Sequence, residues 1–184
     1  MILPGAGSRR RWDNAPVRVR DATAEDADGI AAIYVENGRF HEALDPGYFK
    51  EPSRDGLVEM IEGDEEWRQR PDALALVAEV DGVVAGYLEA SLQPPLDTAE
   101  VQSVRDLGAT RLHINSVGTA DAFKRRGVAT ALVEAAEAWA RANGASVATL
   151  DTWIDSPLSV PFWEERMGYA RRSIIFRKEL EPSA

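Results

Sequence analysis

Seven consecutive residues, Lys124, Arg125, Arg126, Gly127, Val128, Ala129 and Thr130, are the part of this chain whose types and spacing most directly suggest chemistry. Three cations meet a glycine, and apolar residues then recur at Val128, Leu132, Ala135 and Trp139, the spacing of one helix face. A helix start presents backbone N–H groups without intrahelical partners and the positive end of the helix dipole. A phosphate or pyrophosphate fits there. Gly127 has no Cβ to hold an anion away from the backbone, Ala129 keeps the next turn small, and Arg125 and Arg126 add charge at the rim. The nucleotide motifs G-x-x-x-x-G-K-[ST] and G-x-G-x-x-G are absent from the sequence. There is no cysteine, which excludes thiolate metal sites and cysteine nucleophiles. With two histidines, His41 and His113, no metal site is expected.

The elements that must position this turn can be read on either side of it. Leu112 to Thr119 alternates as a strand, with Leu112, Ile114 and Ser116 on one face and His113, Asn115, Val117 and Thr119 on the other. Asn143-Gly144 stops the helix, and residues 146–153 form another strand. Upstream, 17–20 read as a first strand, 21–37 as a helix capped by Thr23 with Asp26 three residues on, 38–52 as loop, and 53–70 as a second helix with Leu57, Met60 and Ile61 inward. Two β-rich runs flank Asp81-Gly82, a strong hairpin signal. Residues 93–110 are a proline-led interruption, 156–167 a short helix with Ser156 as cap and Pro157 at its first position, and 171–180 a closing strand. This order, β-α-α-β-β-β-α-β-α-β, predicts a mixed sheet rather than the regular alternation of a Rossmann fold.

The strand, the turn Lys124–Ala129, the helix and the following strand resemble the GNAT acetyltransferase superfamily. Its turn signature is Arg or Gln, two residues, Gly, one residue, then Gly or Ala; Gly127 and Ala129 match, and Lys124 departs from it. The ending at residues 156–173, with Ser156, Ser159 and the run Phe162–Tyr169, is similar to the family's N-x-x-A…F-Y-E-x-x-G-F/Y ending. Ser156 stands where Asn is usual and Ser159 where Ala is usual. The resemblance implies an α/β (α+β) fold with a mixed, mostly antiparallel central sheet, helices on both faces and a splayed parallel strand pair. It spans about residues 17 to 180 and implies a flexible tail at 1–16 followed by one acetyltransferase domain at 17–184.

The implied co-substrate is acetyl-CoA and the implied acceptor an amine. Its pyrophosphate is expected on the turn, and its pantetheine arm along Val117, Gly118 and Thr119, with Gly118 suited to a bulge. Cofactor-binding candidates are thus Val117, Gly118, Thr119, Lys124, Arg125, Arg126, Gly127, Val128, Ala129, Thr130, Ser156 and Ser159. A lysine-like amine, with a pKa near ~10.4, needs a base. His113 is the first candidate, since some family members, serotonin N-acetyltransferase among them, use histidine at this place on the strand. Glu89 on the adjoining hairpin strand is the second. The tyrosine that often protonates the leaving thiol is missing, because the ending is one residue longer, which leaves Trp163 or Glu164 in its place; Glu164 can act as an acid only if burial raises its pKa. A small-molecule amine is the expected acceptor, with a protein amine or a weakly catalytic, acetyl-CoA-binding regulatory module as the alternatives. The net charge of −10 argues against nucleic acid; the Arg9–Trp12 run is the exception and reads as a solvated tail. No apolar run reaches the ~20 residues of a membrane span, so a cytoplasmic protein is expected, with a homodimer compatible.

Overall fold

A computed structural model describes residues 15–179; the expected tail at 1–16, with Arg9–Trp12, lies almost wholly outside the described residues, as does Leu180 of the expected last strand. Two compact units divide the chain, one ending at Leu150 and the other beginning at Asp151.

The first unit is built on a five-stranded sheet in sequence order: β1 (Arg18–Asp21), β2 (Ala73–Val80), β3 (Val83–Gln93), β4 (Arg111–Thr119) and β5 (Val147–Leu150). The first four strands pair antiparallel and β5 runs parallel to β4. This is the mixed, mostly antiparallel sheet that the sequence predicts. Asp81 and Gly82 both take left-handed backbone, with φ of 50° and 76°, which is the geometry a two-residue hairpin demands.

The helices are α1 (Ala27–Leu44), α2 (Arg54–Gly63), α3 (Glu65–Arg68) and α4 (Val128–Ala142). The amphipathic α4 buries Val128, Leu132, Val133, Ala136 and Ala140, side chains worth about 1.5–3 kcal/mol each when as large as Leu or Val. On the other side, Ile30, Ile33 and Ile61 from α1 and α2 pack with Val77 and Tyr87 of the sheet. Two expectations change here. α1 runs on into the stretch read as loop, to Leu44, and Gly38 lies where a Cβ would collide with the Pro52 ring. The second helix breaks at Asp64, and Met60 turns out to solvent.

The entry to α1 is held by charge. Thr23 N–H donates to Asp26 Oδ2 at 2.8 Å, the reciprocal half of the expected capping box. Arg20 forks onto both oxygens of Asp26 at 2.7 Å and reaches Glu79 at 2.7 Å. Burial alone would raise the Asp26 carboxyl, but the Arg20 and Thr23 hydrogen bonds outweigh it and hold the group below its ordinary value. Its stabilising contribution is therefore present above the ordinary carboxylate range, near pH ~4, and is lost as pH falls through the lower folded value. Asp26→Asn is expected to cost about 2–4 kcal/mol near neutral pH, since it strips a buried partner from Arg20. Urea denaturation at several pH values checks this: the penalty should shrink below pH ~4, and an equal penalty at pH 7 and pH 2.5 would contradict it.

Two features of β4 depart from simple alternation. Its register with β3 slips between Ser116↔Glu89 and Ile114↔Ala90, so Asn115 is an extra, exposed residue, a β-bulge. Gly118, expected to be the bulge, instead lies under α1, where a Cβ would strike the Tyr87 ring, Asn37 at 2.6 Å and Ile33 at 2.9 Å. Pairing with β5 covers Arg111 to Ile114, leaving residues 116–119 with β3 as their one strand partner among the described residues.

In the second unit the expected helix begins as Ser159–Pro161 and passes into a π-helix at Phe162–Arg166, where Met167 N–H donates to Phe162 O at 3.0 Å. A π-turn holds one more residue than an α-turn, which is compatible with the extra residue that the resemblance implies at this place. The expected closing strand does not form: residues 171–179 carry no regular structure, and Ile174, Ile175 and Phe176 are 65%, 79% and 90% exposed. Their β-branched and aromatic types gave a strand signal, but strand stability comes from cross-strand and packing partners.

Candidate active site

The turn before α4 has the backbone that an anion cradle needs. Arg125 and Gly127 are both left-handed, with φ of 64° and 82°, and Gly127 caps the helix. Lys124 before them is extended, with φ of −57° and ψ of 146°, and the first N–H groups of α4 have no intrahelical partner. Of the three cations, Lys124 pairs with Asp121 at 2.5 Å and lies 5.4 Å from the centre of the Phe40 ring, while the Arg126 guanidinium lies 5.7 Å from that of Phe123. Val128 is buried, and Ala129 and Thr130 complete the first turn.

Val117, Gly118 and Thr119 lead into this turn along the half of β4 that β5 leaves unpaired. Among the described residues, the buried Thr119 Oγ1 has no hydrogen-bond partner. A buried hydroxyl is costly to leave unsatisfied. An extended strand edge, an orphaned hydroxyl and an anion cradle in sequence fit a ligand with an amide-bearing arm and a phosphate end.

The bulge decides which side chains of β4 share a face with those of β3. In β3, Tyr87, Glu89 and Ser91 share the face covered by α1, and their partners are Gly118, Ser116 and His113. His113 therefore shares a face with Ser116 and Gly118, whereas strict alternation had placed it with Asn115 and Val117. The structure thus brings His113 and Glu89, the two base candidates, onto one face. His113 Nδ1 lies 3.1 Å from Thr149 Oγ1, and that hydroxyl donates to Leu112 O at 3.3 Å. Because the Thr149 proton is committed to a carbonyl, its oxygen accepts from Nδ1–H, which leaves the Nε2 lone pair as the basic one.

Glu89 is largely buried and accepts a hydrogen bond from the Tyr34 hydroxyl at 3.2 Å. Burial first, and then the negative charge of Asp64, push its carboxyl above the ordinary value, against the Tyr34 hydrogen bond and the Arg68 charge. Tyr34 stacks on Tyr87 with ring centres 4.5 Å apart, and the Tyr87 hydroxyl meets Ser116 Oγ at 2.9 Å. Burial and the Glu89 charge push Tyr34 up to about 12. Sequence reasoning singled out neither Tyr34 nor Ser116 as a site residue; the available signal was that a buried tyrosine hydroxyl requires a polar partner.

The remaining candidates lie in the second unit. Ser156 is buried and its Oγ accepts from Ser159 N–H at 3.2 Å, so the two serines cap their own turn. Trp163 is buried with its ring edge-on to Phe162 and Tyr169. Glu164 does not meet the condition set for an acid: it is exposed and bound by Arg171 at 2.6 and 2.8 Å, which holds its carboxyl below the ordinary range. It carries no proton to give near neutral pH. Glu164→Gln is expected to change turnover by no more than about threefold at any pH from 6 to 9, a scale set by exposed ion pairs worth ~0–1 kcal/mol. A pH–rate profile showing a limb that vanishes in the variant would restore the acid role.

A family model described as the acetyltransferase (GNAT) family matches residues 38–169. Among solved structures the fold is shared with a tetramutant protein of Bacillus halodurans, at a TM-score of 0.73 and 16% identity over 89% of this chain and 99% of that one. A transcriptional regulator from Bacillus halodurans C-125 superposes at 0.68 with 19% identity over 90% and 100% of the two chains. An aminoglycoside N-acetyltransferase in complex with CoA superposes at 0.60 with 19% identity over 97% and 100%. No curated protein sequence matches the chain.

Proposed function

The chain belongs to the acetyltransferase (GNAT) family, whose members draw on acetyl-CoA, and from that premise we propose that it transfers the acetyl group to the amine of a small molecule by direct attack on the thioester. The observation that carries this reading is the shared face of His113, Ser116 and Glu89, set beside the unpaired half of β4 that runs into the anion cradle. Acetyl-CoA supplies an activated carbonyl. The N–H groups around Gly127 hold its phosphates, and the free edge at Val117–Thr119 pairs with its amide-bearing arm. A backbone N–H at Val117 or Gly118 donates to the carbonyl oxygen as it gains charge. His113 Nε2 takes a proton from the attacking nitrogen and returns one to the departing thiolate.

A small acceptor is favoured by the segment 93–110, which is tied into a compact loop. Arg111 NH1 donates to Asp106 O and Ala109 O at 3.0 and 2.9 Å, and Leu96 N–H donates to Leu107 O at 2.9 Å. Such a loop suits the roof of a closed pocket. The acidic surface, with net charge −10, attracts a cationic acceptor. Likeness to an aminoglycoside N-acetyltransferase points the same way.

The test is CoA release from acetyl-CoA across a panel of polyamines, amino acids, aminoglycosides and lysine peptides. Turnover on small amines above the hydrolysis background supports the proposal. Turnover on peptides alone makes the acceptor a protein. Acetyl-CoA binding with no turnover on any amine makes the chain a regulatory module, a reading encouraged by the absence of an acid at Trp163 and Glu164.

A further inference from the structure

Ala75, Glu89 and Ser116 stand in one row across β2, β3 and β4. Ser116 ends the row on the β4 side, one residue before Val117. On the other side Glu89 and Ala75 line a small cavity together with Thr23, Ile61, Asp64 and Arg68, from the approach to α1 and from the α2–α3 turn. Thr23 and Asp64 are exposed, so the cavity meets solvent there.

Two polar groups of this cavity have bonding capacity left over. The Arg68 side chain is 9% exposed. Its terminal nitrogens donate to Ile61 O and, at 3.0 Å, to Glu65 Oε2, which fixes the guanidinium plane. Its buried Nε has no hydrogen-bond partner among the described residues. Glu89 accepts from Tyr34 through Oε2, which leaves Oε1 to accept from something else. The two side chains are close enough for the Arg68 charge to act on the Glu89 carboxyl.

A ligand group that satisfies both must accept from Arg68 Nε–H and donate to Glu89. A carboxylate has no proton to donate, and Asp64 and Glu89 repel it. An ammonium has no lone pair to accept with, and Arg68 repels it. A hydroxyl does both, and it has the size of the water molecule that the cavity takes.

Resting on the amine-acceptor reading above, we propose that Arg68 Nε and Glu89 hold a hydroxyl of the acceptor, so that the substrate is an amino alcohol with its nitrogen beside Ser116 and His113 and its oxygen in the cavity. Two strand spacings, about 10 Å, separate Ala75 from Ser116, so a short carbon chain joins the two groups. Selectivity comes from what the wrong acceptor leaves behind. An amine without the hydroxyl displaces water and strands a buried N–H and a buried carboxylate oxygen.

The experiment measures kcat/KM of the wild type on linear amino alcohols of about two to six carbons, a range set by that span. Each is compared with its deoxy amine and with its O-methyl ether, which keeps the oxygen lone pairs and loses the proton. At the best length the alcohol should exceed the deoxy amine by about 30–1,000-fold, the scale of two buried partners left unpaired, and the ether by at least about tenfold. The advantage should fall on either side of that length. In Arg68→Met, which keeps the stem and removes Nε–H, the advantage over the deoxy amine should drop below about fivefold. A purely structural role would instead lower all three acceptors together. No alcohol advantage at any length means that the cavity holds water alone and overturns the proposal. An undiminished advantage in a folded Arg68→Met protein overturns it as well; where that variant does not fold, the wild-type series decides. A wild type that acetylates no amine at all overturns the amine-acceptor reading and this one with it, an outcome distinct from acetylation without preference.

Discussion

Gly127→Glu is expected to abolish acetyl-CoA binding while the chain stays folded. The two halves of that statement have separate physical grounds. A Cβ at position 127 meets no atom within 4 Å, so the folded state has room for the side chain. The backbone there has φ of 82°, which costs an L-residue about 1–2 kcal/mol, a tolerable fraction of domain stability. The added carboxylate, however, stands at the mouth of the α4 N-terminus, where it occupies the N–H groups and repels the phosphates those groups are proposed to hold. Gly127→Asn supplies the control, because asparagine tolerates left-handed backbone and adds no charge; it should weaken binding far less. Titration calorimetry with acetyl-CoA, alongside thermal unfolding of each variant, decides the matter. A folded Gly127→Glu protein with wild-type affinity would remove the cradle from this turn. Arg125 and Arg126 should matter less singly, by up to about fivefold, since exposed charges contribute about 0–1 kcal/mol each.

His113→Ala should lower turnover by roughly 10²–10⁴ while acetyl-CoA affinity changes by no more than about twofold. The imidazole is oriented by Thr149, whose hydroxyl is fixed on Leu112 O, so the basic Nε2 is presented rather than free to flip. Thr149→Val should therefore reproduce part of the loss without removing the ring. Steady-state kinetics on the best amine of the panel measure it. Near-normal turnover in His113→Ala would pass the role to Glu89 or to solvent.

How much of this could be read in the sequence depends on how local the cause was. The hairpin at Asp81-Gly82 and the stop at Asn143-Gly144 follow from backbone chemistry within two residues, and both are present. The turn Lys124–Gly127 and the helix start at Val128 were legible for the same reason, and the binding role proposed for them rests on N–H groups that can be counted from a helix start. The Asn115 bulge was not legible. Nothing in Ile114-Asn115-Ser116 marks an extra residue, because the slip is fixed by which β3 partners bury best. The error it caused was specific: His113 was grouped with Val117, and Ser116 was overlooked. Glu164 failed because its burial was a tertiary question, answered by Arg171, seven residues away. The extra residue in the ending was visible as a count, yet its form as a π-turn at Phe162–Arg166 was not.

The slip at Asn115 works as a phase shifter. Ahead of it, residues 111–114 are registered against both β3 and β5; behind it, 116–119 answer to β3 alone among the described residues. Deleting Asn115 would restore strict alternation and rotate one half by a face: either Ser116 and Gly118 would leave the α1 side or His113 would. Insertions and deletions usually spoil a strand by moving all its side chains together. Here the two halves can drift independently, so a descendant of this sequence could change the side chain at position 113 without retuning the strand edge at 116–119.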